Sequence, residues 1–199
     1  LAVQQLMTKK TIEKKWLITG LLCNVISSSG TFVLAYLMVT KNLRQDLYFG
    51  SVYFFLHFQY NGWFLFVIGG LFLAYIAKWL QPADVSNANR FYILLLTALI
   101  PAWFLSLMWM RIPAWMYYAG VAGSIMQLAA LLFLIKLLLA VRKTLLISIN
   151  PLAKWFWLIA GSAFVLKIIM QTFSAIPQLN TYAFGIRAIV IGFLHLVLL

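Results

Sequence analysis

The chain has 199 residues, 65% hydrophobic and 9% charged, with a mean hydropathy of +0.99. A water-soluble domain of that size has too little interior to hide so much apolar surface, so lipid is the expected solvent. The net charge of +12 does not imply nucleic acid, because the basic residues sit between apolar runs, where a membrane protein meets lipid headgroups.

The expected fold is all-α: a polytopic transmembrane helix bundle of about six spans, the last one truncated. Both ends read as cut, since Leu1 is not a start methionine and Leu199 falls inside an apolar run. The single cysteine, Cys23, excludes an internal disulfide and any multi-cysteine metal or iron–sulfur site.

Residues 1–15 form a basic juxtamembrane segment, with Lys9, Lys10, Lys14 and Lys15 opposed by Glu13 alone. The first span covers about 16–39. Trp16 is placed to anchor it at the interface, and Ser27-Ser28-Ser29-Gly30 offers small residues for close helix packing. Asn24 is a polar group in need of a partner helix.

The second span covers about 47–80, longer than the roughly 20 residues that cross a bilayer, so it tilts or projects. It carries His57, Gln59, Asn61 and Gly62, then Gly69-Gly70. Gln81-Pro82-Ala83-Asp84 breaks it, and a loop is expected as far as Arg90. The third span, 91–110, contains Pro101, which predicts a kink. Arg111-Ile112-Pro113 makes a tight turn into the fourth span, 114–140. The fifth span is 152–173 and the sixth 185–199. Basic residues outweigh on the side that holds the N-terminus, which predicts a cytoplasmic N-terminus in a bacterial inner membrane. Lys136 and Lys167 lie near enough to span ends to snorkel.

The chemistry concentrates on two histidines. His57 sits in Phe-Leu-His57-Phe58-Gln-Tyr-Asn-Gly62-Trp, and His195 in Phe-Leu-His195-Leu. With the N-terminus inside, both spans run inward, and each histidine falls ten residues after its span begins. At about 1.5 Å per residue that is a depth of ~15 Å, near the middle of a hydrocarbon core ~30 Å thick. Neutral imidazole ligates haem iron or copper. A haem between two helices would take one histidine from each. Phe58 would supply an aromatic wall, and Gly62 and Gly192 room for a flat macrocycle. Arg187 would pair with the propionates, as Lys41 or Arg44 also could. Set against this is the plainer alternative, in which a buried histidine simply hydrogen-bonds a neighbouring helix, through Asn24 or Gln127.

A histidine followed five residues later by Gly-Trp and then a Gly-Gly-rich apolar helix resembles membrane haem proteins of the haem–copper oxidase subunit I type. It is also similar to NnrS-type proteins linked to the nitric oxide response. The resemblance covers about 40 of the 199 residues. It implies that His57 and His195 are axial ligands, and that the function is electron transfer or a response to oxygen or nitric oxide. An oxidase copper centre would need further histidines, and no span carries Asp or Glu for a proton relay. No catalytic activity is expected from these residues alone. The competing expectations are a small-solute transporter or channel built on Asn24, Gln59, Asn61, Gln127, Lys167 and Gln171, and a non-catalytic structural subunit. The partners expected are the lipid bilayer and other membrane subunits, with no nucleic acid.

Overall fold

The computed structural model describes residues 2–41, 44–180 and 192. Among them there are helices and no strands, so the chain is all-α, of the helical-bundle class. Five helical stretches are long and apolar enough to cross a membrane: Glu13–Val39, Gln45–Trp79, Pro82–Leu107, Ala114–Ser148 and Pro151–Phe173. Their outer faces carry large apolar side chains such as Leu21, Val25, Phe32 and Ile68. Such faces are stable against lipid, where the helix already satisfies its own backbone groups. The protein is an integral membrane protein. The expected sixth span lies almost wholly outside the described residues.

The chain divides into two compact units, Leu1–Val85 and Ser86–Leu199. The first is a helical hairpin. Helix α1, Ala2–Val39, runs without a break from the basic segment into the first span. It packs antiparallel against α2, Gln45–His57, a π-helical turn at Phe58–Phe64, and α3, Leu65–Ile76. The inward row on α1 is Trp16, Gly20, Cys23, Ser27, Gly30 and Leu37. That repeat, close to 3.5 residues, is the spacing of left-handed helix pairs.

Small residues let the two backbones approach. A Cβ on Gly20 would fall 2.7 Å from Val67 Cγ2, and one on Gly30 would fall 2.8 Å from the Ser51 carbonyl oxygen. Of the expected Ser-Ser-Ser-Gly run, Ser27 and Gly30 are buried and face the partner, while Ser29 is exposed and bonds its own helix. Trp16 departs from its expected role as an interface anchor. It is 0% exposed, lies over Gly69 and Gly70, and meets Phe66 at 5.2 Å. The two glycines open a flat groove that an indole fills.

Helix α4, Pro82–Trp103, begins earlier than expected. Pro82 suits a first helical position. Asp84 accepts from the Gln81 backbone N–H at 3.0 Å, as the third residue of a capping box does. The loop expected over 81–90 is therefore helix from Pro82 on.

In the second unit, α4 tightens into a 3₁₀ turn at Phe104–Leu107, just after Pro101. The bond that Pro101 cannot donate is the one to the Thr97 carbonyl, a turn before Pro101 itself. Helix α5, Ala114–Ser148, continues past the expected end of its span. It meets α4 through glycine: a Cβ on Gly123 would sit 2.6 Å from the Ala102 nitrogen. Helix α6, Pro151–Phe173, follows a two-residue link in which Asn150 caps the new helix by accepting from Leu152 N–H at 3.0 Å. A helical turn at 177–180 stands where a loop was expected. There Asn180, 1% exposed, donates to the carbonyls of Leu105 at 3.1 Å and Ser174 at 3.0 Å.

Candidate functional site

His57 closes α2 at the threshold of the π-helical turn. A π turn holds one residue more than an α turn, and such turns recur at functional positions. Residues before and after the insertion therefore change face. The neighbours His57 and Phe58 are both buried, each 5% exposed, while Gly62 and Phe66 return to the α1-facing row.

Two polar sets result. On the α1 side, Ser27 Oγ lies 2.7 Å from both the Asn24 carbonyl and the Gln59 side-chain oxygen position. One hydroxyl proton serves one acceptor at a time. With the Gln59 amide turned over, its NH2 donates to Ser27 while Ser27 donates to Asn24, and every contact is satisfied. Two residues earlier on the same helix stands His57, which cannot share the Gln59 face. Its ring Nδ1 lies 3.3 Å from the Asn61 Nδ2 position.

Which nitrogen of His57 carries the proton follows from that amide. With Nδ2 toward the ring, Nδ1 accepts, and the Asn61 oxygen is left buried with no partner among the described residues. With the amide reversed, Nδ1–H donates to the oxygen and the lone pair falls on Nε2. The second orientation is the one an outer partner imposes on a metal-binding histidine. Phe58 meets the imidazole edge-on at 5.5 Å and is itself backed by the Phe54 ring, 4.6 Å from its own, which gives the histidine an aromatic flank.

The other expected site residues fare differently. Gly62 does not open space for a macrocycle: a Cβ there would lie 2.6 Å from Cys23 Cβ and 3.0 Å from Cys23 Sγ. Its face is already filled by α1. Arg44, an alternative partner for propionates, pairs instead with Asp46 at 2.6 Å. The Asn24 backbone carbonyl serves Ser27 and Ser28, and His57 has one partner in Asn61, within its own helix. His195 and Arg187 lie outside the described residues, and Gly192 is helical and exposed. Among the described residues no three of His, Cys, Asp and Glu come together as a metal site.

Of the groups expected for a transport path, Gln127 is the most buried, 3% exposed, beside Ser124 at 1%. The Gln127 side-chain oxygen has no partner among the described residues. Lys167 is half-buried. The π-helical turn and the pairing of His57 with Asn61 were not anticipated from the sequence, although a His-x-x-x-Asn spacing inside an apolar helix was there to be read. Set against protein-family models, characterised proteins and solved structures, the chain matches none.

Proposed function

We propose that this integral membrane protein binds haem, for electron transfer or for a response to oxygen or nitric oxide, with His57 as an axial ligand. The observation that carries the reading is the contact between Asn61 and His57 Nδ1 inside a π-helical turn. It leaves a buried amide oxygen unpartnered in one orientation and fixes a ligating tautomer in the other. The donor set also fits. A haem needs one or two protein ligands, not the cluster of three or more that a bare metal ion takes. Haem would supply a one-electron couple or a gas-binding iron. His57 would hold the iron, Asn61 would orient the ring, and Phe58 would exclude water from its edge. Gly62 has no part in this.

A reduced-minus-oxidised visible spectrum of the protein, purified from haem-replete cells, tests it. The expected result is a set of sharp bands that His57→Ala abolishes while the protein stays helical. His195→Ala, run in parallel, reads whether the second histidine takes part. A flat spectrum with no iron by elemental analysis overturns the proposal. A second reading, a small-solute transporter, is favoured by one observation, the unpartnered oxygen of Gln127 buried beside Ser124 in α5. In that case uptake into vesicles, not colour, would depend on Gln127.

A further inference from the structure

All three acidic residues, Glu13, Asp46 and Asp84, precede Ser86. The second unit therefore has no acidic side chain to balance its lysines and arginines. Three of them flank the corner where α5 turns into α6. Arg142 and Lys143 stand less than two turns before Ser148, and Lys154 stands one turn after Asn150. At about 1.5 Å per residue, all three fall within ~10 Å, along their helices, of the corner. Arg142 and Lys143 are exposed and Lys154 is half-buried.

The same corner is apolar where it is not basic. Ile147 is 86% exposed, Leu146 54% and Trp155 68%. A site for a free anion in water has no use for bare isoleucine and tryptophan. A place where acyl chains meet headgroups has use for both, since tryptophan settles at that level and cations there attract phosphate. The depth agrees. The part of α5 before Val141 already exceeds the roughly 20 residues that cross the hydrocarbon, so Arg142 and Lys143 stand at the headgroups.

We propose that the α5–α6 corner binds the phosphate headgroup of an anionic phospholipid through Arg142, Lys143 and Lys154, with its acyl chains running inward past Leu139 and Leu158, both exposed and about one turn deeper on their helices.

The test is native mass spectrometry of the full chain, released from micelles doped with phosphatidylglycerol or phosphatidylcholine. Retention of phosphatidylglycerol over phosphatidylcholine is expected. The triple variant Arg142→Gln/Lys143→Gln/Lys154→Gln should lower apparent affinity for it on the order of a hundredfold. A control, Lys14→Gln/Lys15→Gln/Lys41→Gln, removes equal charge from the first unit and should leave retention within twofold. Equal losses in both variants would mean diffuse charge and overturn the site. Displacement by millimolar inorganic phosphate would mean a free-anion site and overturn the lipid. If the triple variant does not fold, Lys143→Glu alone carries the comparison.

Discussion

Asn61 stands one turn beyond His57 on the same helix, its amide 3.3 Å from the imidazole Nδ1. A ring held this way, 5% exposed in an apolar helix, has its tautomer chosen by a neighbour and not by water. In protein prepared without haem, ¹⁵N NMR of labelled histidine should find the His57 proton on Nδ1. Asn61→Leu should remove that bias and weaken the proposed haem binding about 10- to 100-fold. A proton on Nε2 in the unaltered protein would contradict the ligating orientation.

Gly62 and Cys23 make the closest approach in the middle of the α1 hairpin. Gly62→Ala should destabilise the protein by about 1–3 kcal/mol, the usual effect of overpacking, and Gly62→Leu by more. Cys23→Gly removes both clashing atoms and leaves Cα, 3.9 Å away, as the nearest. The double variant Gly62→Ala/Cys23→Gly should then recover part of the loss, read by unfolding in detergent. Additive losses would show that Cys23 is not what Gly62 accommodates.

Ser27 and Gln59 supply a side-chain hydrogen bond between α1 and the helix of His57. Interhelical bonds of this kind couple by about 0.6 kcal/mol in membranes, reaching roughly 1.7. A double-mutant cycle with Ser27→Ala and Gln59→Leu should fall in that range. A coupling indistinguishable from zero would mean that the hydroxyl serves Asn24 alone.

The glycines of the second unit separate by what lies above them. Gly123 faces backbone, with the Ala102 nitrogen 2.6 Å from a would-be Cβ and Pro101 at 3.0 Å. Backbone cannot swing aside, so Gly123→Ala should cost about 3 kcal/mol. Gly161, in exposed α6, has nothing within 4 Å. Gly161→Ala should be neutral or stabilising by up to about 1 kcal/mol, from helix propensity. Thermal melts of the two variants side by side decide it, and the reverse order would refute the packing of α4 on α5.

Asn180 ties the 177–180 turn to the 3₁₀ turn at Phe104–Leu107, with two donated bonds from a side chain 1% exposed. Asn180→Ala leaves the Leu105 and Ser174 carbonyls without that donor, a loss of about 1–3 kcal/mol. Hydrogen exchange should speed up around residues 104–108 before the rest of the unit. Unchanged protection there would show that the contact holds nothing in place.

Hydropathy and composition are enough to make the chain helical and to place it in lipid. Long apolar runs broken by Pro, Gly and charge can satisfy their backbone in hydrocarbon in one way, as helices. The sequence also located the turns around Lys41, Arg111 and Asn150, and it singled out His57. What each residue faces was decided by the tertiary structure alone. In water an apolar stripe marks the buried face of a helix, but in lipid both faces are apolar and the stripe disappears. So Trp16 read as an anchor when it fills a glycine groove, and Gly62 as room for a macrocycle when Cys23 fills that room. The π-helical turn at Phe58–Phe64 is of the same kind. It adds a residue that no local propensity specifies, and it moves His57 onto a face that hydropathy cannot name.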